Sequence, residues 1–416
     1  MFSYFYLACL SLVSIYAIEQ WLRYRQRKRY YLKNISTSLN EYINIDIYNK
    51  CQAYALEKSN IKLIQDAVNI IHSIFRLYRL SWFWAMAGSI SSNNIIQSLV
   101  FVSALSLEKT IINIPFALYH TFIVRPKYKS EKPTIPKFFI NKIKMLVYRG
   151  GISLPLIAIF LKVEPFLGNS FWIYAWFAVL TQTIGVWMLY PRYIVPWCRD
   201  LAPVPEGNLK DSLKHLSQLV GFPVDRIYID KMVCTSCKNS CSGNSYATYI
   251  GLFWQKILVI SESATMVHDI STIMSLAVHE LGKWYGMHRA VWYSLRMLYM
   301  GCNFYMLQKL IYCLPIYNDF DVEYSFIIGY VILGFIYAPI DRLYLLIENI
   351  IMRNLEYRAD QFAINCGYDM KNALIKTKIS NLSKMEFDPY YSIYFNQKPT
   401  LVERLKRITI KFKKMC

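Results

Sequence analysis

Seven stretches of predominantly apolar residues punctuate the 416-residue chain, at 1–20, 64–87, 96–122, 146–163, 170–195, 292–314 and 324–347. Each approaches the roughly 20 residues an α-helix needs to cross the hydrocarbon core of a bilayer, where every backbone N–H and C=O must be satisfied within the segment. The pattern predicts seven transmembrane helices. The second stretch is the most polar, because His72, Arg76 and Arg79 make it amphipathic and leave open a helix lying in the membrane interface. No Lys or Arg precedes the apolar run Met1 to Ile18 and no small-residue cleavage site follows it, so it reads as a retained first span.

The region 196–291 has a different texture. LAPVPEG is followed by an amphipathic helix (LKDSLKHLSQLVG), a strand-like IYID and a hairpin-like pair, YATYIGL and KILVI. These predict a small α/β insert in an otherwise all-α, multi-pass chain. Four regions follow: a five-helix membrane part (1–195), the insert (196–291), helices six and seven (292–347), and a C-terminal part (348–416).

Composition agrees with a membrane protein: 55% of residues are apolar and 16% aromatic. The net charge of +20 would also suit a nucleic-acid binder. However, Lys and Arg gather beside the apolar spans, at 23–33 (RYRQRKRYYLK), 125–144, 196–291 and 348–416, whereas 88–95 and 316–323 contain none. Lys162 is the single contrary charge at a span end on that side. Cytosolic loops carry such an excess, so the distribution argues for a membrane surface rather than nucleic acid and puts 196–291 and 348–416 on the cytosolic face. The ten cysteines show no paired framework, which predicts reduced thiols and no structural disulfides. Cys234, Cys237 and Cys241 have a spacing that a fourth ligand could complete into a metal site, but no paired Cys or His follows closely and a loop of reduced thiols is the favoured reading. His215, His268 and His288 read as helix-surface or capping groups.

The chemistry-bearing motif is AVHELGKWYGMHR (277–289). A zinc-protease helix uses His-Glu-x-x-His because residues i and i+4 share a face, so two imidazoles grip one metal while the adjacent Glu activates water. His279 and Glu280 fit, but the i+4 position is Lys283, whose ammonium has three donors and no lone pair. Making it a ligand at neutral pH costs about 4–5 kcal/mol for deprotonation alone.

Around this motif the chain resembles the CAAX prenyl protease type I family, zinc metalloproteases of the endoplasmic reticulum and inner nuclear membrane. The resemblance runs through AIEQWLRYRQ (17–26), KCQAYALEKSNI (50–61), LPLIAIF, FWIYAWF, YPRYIVPW, LAPVPEGNLK, HELGKW, NLEYRADQFAINCGY (354–368) and NLSKMEFDPYYSIYFNQKPTLVERL (381–405), in the family's order. It implies a barrel of seven tilted helices around a water-filled chamber, with one zinc ion at a cytosolic α/β cap. The implied activity is endoproteolysis of prenylated C-termini, with prenylated proteins or peptides and the bilayer as partners. By the same resemblance His279 is the first metal ligand, Glu280 the general base and Glu356 the third ligand. Asp360 lies one turn after Glu356, where it suits either a carboxylate orienting His279 or a surface charge.

The departures fall on chemical positions. Lys283 replaces the second His ligand; Tyr246 stands where the substrate-pairing strand has its Asn; Phe395 and Lys398 stand where the family has two histidines, one of them placed to stabilise the oxyanion. Either Lys283 loses its proton and binds zinc, or it stays an ammonium between Glu280 and Glu356 as a substitute cation, which the attraction of two carboxylates favours. The expectation is a zinc-dependent endopeptidase with impaired activity, its alternative a catalytically inactive pseudoprotease that binds prenylated or membrane-inserting chains.

Overall fold

The computed structural model describes residues 3–32, 40, 43–128, 134–195, 200–223, 226–231, 247–252, 255–380 and 384–415. Tyr246, Cys234, Cys237 and Cys241 lie outside them. In chain order the principal elements begin with α1 (Tyr4–Tyr30), α2 (Ile45–Tyr78), α3 (Leu80–Ile90), α4 (Asn94–Tyr119), α5 (Ile135–Leu167) and α6 (Phe171–Leu189). There follow β1 (Leu201–Pro203), α7 (Asn208–Val220), β2 (Ile227–Asp230), β3 (Ala247–Leu252), β4 (Gln255–Ser261), α8 (Ile270–Tyr285) and α9 (His288–Ile311). The chain closes with α10 (Phe326–Ile336), α11 (Ala338–Asn365), α12 (Met370–Ser380), α13 (Pro389–Phe395) and α14 (Leu401–Met415).

Two compact units emerge. The first, Met1–Arg27, Tyr54–Ala178 and Leu298–Tyr344, is helical and its core is built from Leu77, Leu80, Phe101, Phe171, Ile311 and Ile328. Asn93 starts α4 by accepting the Ile95 N–H at 2.9 Å, satisfying a donor that has no partner within the helix. The charges of α2 are paired rather than bare: Asp66 meets Arg23 and Lys62, each at 2.8 Å, and Glu108 of α4 meets His72 at 2.8 Å and Arg76 at 3.1 Å.

Among the described residues four helical segments are long and apolar enough to cross a membrane: Tyr4–Tyr30, Asn94–Tyr128, Ile135–Leu167 and Phe171–Tyr193. The pair α10 and α11, bent by 61° at its break, makes a fifth if counted as one span. The stretches expected at 64–87 and 292–314 are helical but miss that standard. Arg79 interrupts the first between α2 and α3, and α9 carries Arg289, Arg296 and Lys309.

The second unit, Lys28–Ala53, Val179–Met297 and Leu345–Cys416, contains a four-stranded sheet of order β1-β2-β4-β3. β1 pairs antiparallel with β2, β2 parallel with β4, and β3 antiparallel with β4 in a register that puts Tyr249 opposite Leu258. Among the described residues β3 is therefore an edge. The helix, strand and hairpin read in 196–291 are all present; β1 was not expected, since its three residues show no alternation and end in Pro203. Leu258 and Ile260 from the sheet join Leu213 and Leu216 of α7, Ala277, Val278 and Leu281 of α8, and Leu405 of α14 in the core of this unit.

Candidate functional site

Apolar positions 273, 274, 277, 278 and 281 turn one face of α8 into the core, and the 3.6-residue period leaves His279, Glu280 and Lys283 to face elsewhere. α11 brings Glu356 and Asp360, one turn apart, against them. The two helices come close because position 282 is glycine: a Cβ there would lie 2.9 Å from Cδ1 of Phe362 on α11.

The Lys283 ammonium is the hub. Its Nζ donates to Glu280 Oε1 at 2.8 Å and lies 2.9 Å from Glu356 Oε1. His279 Nε2 is 3.2 Å from Glu356 Oε2, and Nδ1 is 2.9 Å from Asp360 Oδ1. Asp360, 3% exposed, is gripped from its other side by Arg404, whose Nε donates to Oδ2 at 2.7 Å and whose second nitrogen reaches Oδ1. Asp360 thus lies buried in the cluster rather than on the surface.

Electrostatics follow from this geometry. Burial works against charge on Glu280, but the Lys283 ammonium, with smaller help from His279 and Lys398, outweighs it and holds the carboxyl at about 2. Burial likewise works against the Lys283 charge, yet Glu280 and Glu356 raise the amine above its ordinary value. Lys398 is pushed down, chiefly by the Lys283 ammonium.

Beside the cluster lies a cavity of about 360 Å³ walled by Trp187, Tyr249, Trp292 and Tyr293, with Glu280, Lys283, Glu356 and Lys398 also on its lining. Glu348, 2% exposed, accepts from Trp292 Nε1 at 2.7 Å and Gln397 Nε2 at 2.9 Å, fixing the residue next to Lys398. Phe395 turns instead to the rings of Tyr391 and Tyr394, with centroids 4.7 and 4.8 Å away. His288 corrects its sequence reading: it is 4% exposed and lines the cavity, and burial pushes its imidazole down to about 4.

A zinc ion held by one protein face needs three side chains that each offer a lone pair. His279 Nε2 and Glu356 Oε2 converge to 3.2 Å, and an imidazole that donates from Nδ1 to Asp360 keeps its Nε2 lone pair, so this pair supplies two of the three donors. The third corner holds an ammonium. Among the described residues no group of three His, Cys, Asp or Glu side chains is arranged to hold a metal. The donor set as it stands does not fit the ion.

Sequence reasoning missed Arg404 and Arg289. Arg404 sits in the quoted string at 381–405, but its partner is 44 residues away, a relation no local spacing reveals. Arg289 donates to the Tyr249 carbonyl, 40 residues away.

Buried His279 and half-buried Glu280 on one helix, facing Glu356 on a second beside β3, keep the arrangement that the resemblance to zinc proteases implies. Comparison with known proteins agrees. Residues 26–199 match the CAAX prenyl protease N-terminal family, five membrane helices, and residues 203–410 match peptidase family M48. The chain therefore belongs to the CAAX prenyl protease type I family, the membrane metalloproteases of peptidase family M48. It is 28% identical to the CAAX prenyl protease 1 homolog of Oryza sativa subsp. japonica, over 95% of each chain. It is 26% identical to CAAX prenyl protease 1 of Saccharomyces cerevisiae, over 94% of this chain and 92% of that one. The crystal structure of S. mikatae Ste24p shares the fold, with a TM-score of 0.89 at 24% identity over 98% of this chain and 99% of that one.

Proposed function

We propose that this protein is a pseudoprotease of its family, binding prenylated or membrane-inserting chains without cutting them. The observation that carries the reading is the Lys283 ammonium seated 2.8 Å from Glu280 and 2.9 Å from Glu356. A protonated Lys there neutralises the carboxylates that would otherwise activate water and hold a metal, and it gives nothing to polarise a carbonyl. Phe395 offers no donor for an oxyanion and Lys398 is longer and differently aimed than an imidazole, while Tyr246 replaces the family's substrate-pairing Asn. Loss of one oxyanion donor alone costs about two to three orders of magnitude in rate.

The remaining assignments belong to the same reading. Seven tilted helices, the stretches at 64–87 and 292–314 among them, enclose a chamber in the endoplasmic reticulum or nuclear membrane, with 196–291 and 348–416 forming an α/β cap on the cytosolic side. The partners are the bilayer and prenylated chains. The second reading, a zinc-dependent endopeptidase of impaired activity, is supported by the retention of His279, Glu280 and Glu356 with Asp360 beside His279. Metal analysis of the purified protein, with mass spectrometry of a farnesylated CAAX peptide, separates the two. We expect substoichiometric zinc and an uncut peptide. Cleavage that both a chelator and Glu280→Ala abolish would establish the enzyme instead.

A further inference from the structure

We propose that Arg289 is a plug on the free edge of the sheet, holding β3 closed to the addition of an extended peptide strand. The proposal deepens the chain-binding reading above and rests on it. Among the described residues β3 is last in the order β1-β2-β4-β3, so one side pairs with β4 and the other faces no strand. Such an edge is a ready template for another strand, which bonds to both the N–H and the C=O of alternate residues.

At Tyr249 both groups are taken by side chains. Its N–H donates to Glu280 Oε2 at 3.3 Å, and its carbonyl accepts from Nη2 of Arg289. An incoming strand in register with Tyr249 would need those same two groups. Aromatic faces hold the guanidinium in place as well, its central carbon 4.9 Å from the Tyr249 ring centre and 5.5 Å from that of Trp187. Among the described residues no carboxylate pairs with Arg289, so what it gives up on leaving is one carbonyl bond and two ring contacts.

The backbone explains how the side chain gets there. α8 ends at Tyr285, Met287 adopts φ 51° and α9 begins at His288. A left-handed conformation is costly for a residue with a side chain, so this corner is held by its surroundings; it turns the first residues of α9 back towards β3. Arg289 also lines the 360 Å³ cavity with Trp187, Trp292, Tyr293 and Glu280. Thr248 and Tyr249 of β3 line the same cavity, so a chain seated there meets the guanidinium together with the strand.

The test uses the full-length protein in nanodiscs and a fluorescein-labelled farnesylated peptide ending in a CAAX sequence. Arg289→Ala, and Arg289→Met, which keeps the packing of the stem, should each bind it about tenfold more tightly than the unmodified protein, as one or two net backbone hydrogen bonds would give. A benzophenone-bearing form of the peptide should cross-link to residues 247–252 in the variants and elsewhere in the unmodified protein. Equal or weaker binding by variants with unchanged thermal unfolding overturns the plug and leaves the chain-binding reading standing. Binding to none of the three proteins overturns both. If the variants fold poorly the cross-link in the unmodified protein decides, since attachment at 247–252 there contradicts a closed edge and attachment elsewhere supports it.

Discussion

Two carboxylates, Glu280 and Glu356, decide the behaviour of Lys283. Lys283→Met removes the shared cation and leaves the Glu280 and Glu356 carboxylates facing one another, a loss of about 3–5 kcal/mol when one side of a buried pair goes unmatched. The pH dependence carries the sign. In the native cluster Glu280 is held at about 2, below its unfolded value, so its contribution is present above about pH 4.5 and is lost as pH falls towards 2. Lys283 is raised, so its contribution is present below its unfolded value of about 10.4 and is lost only as pH rises through the folded one. Between those limits the cluster contributes a flat profile. In Lys283→Met the two carboxylates repel and resist ionisation, so mild acid relieves them and stability rises from neutral pH down to about pH 5. Thermal unfolding between about pH 7 and about pH 5 in detergent should be flat for the unmodified protein and rise towards acid for Lys283→Met; parallel curves would mean that Lys283 does not neutralise the pair.

The approach of α8 to α11 controls the cluster at the level of elements, and Gly282 sets it. Gly282→Val would push branched methyl groups into the Phe362 ring that already lies 2.9 Å from where a Cβ would stand. We expect destabilisation of about 1–3 kcal/mol, seen as a lower unfolding midpoint, together with weaker peptide binding. Gly282→Val binding peptide and unfolding like the parent would show that the helices have slack there. The elements themselves were largely legible: α8 from its His-Glu-x-x motif, the β3–β4 hairpin from its paired strand-like runs, α7 from its amphipathic face. What stayed hidden depends on long-range contact. Arg404 finds Asp360 across 44 residues and Arg289 finds Tyr249 across 40, and the helical period of α9 gave no sign that His288 would be buried. β1 lacked any pattern because three residues cannot show one.

The charge pattern makes its statement about the whole molecule. Seven apolar stretches were readable, yet among the described residues four helical segments, or five with the bent pair, are long and apolar enough by themselves. The difference lies in charge rather than helicity, since α2 carries Asp66, His72 and Arg76 and α9 carries Arg289, Arg296 and Lys309. On α2 these charges have partners on other helices, Arg23 for Asp66 and Glu108 for His72 and Arg76, and a paired charge at membrane depth is far less costly than a bare one. The proposed seven-span arrangement counts such helices as spans where hydropathy alone does not. The Lys and Arg distribution bears on the proposed topology independently: an odd number of crossings from an outside N-terminus would leave 88–95 and 316–323 on the lumenal side, free of cations, and 348–416, rich in them, in the cytosol. Single cysteines introduced at Asn93 and Asp319 of a cysteine-free variant should react with an impermeant maleimide only from the lumenal side, and one at Lys371 only from the cytosol. Lumenal reaction at Lys371 would require an even number of crossings and would remove the C-terminal segment, with Glu356 and Asp360, from the cytosolic face.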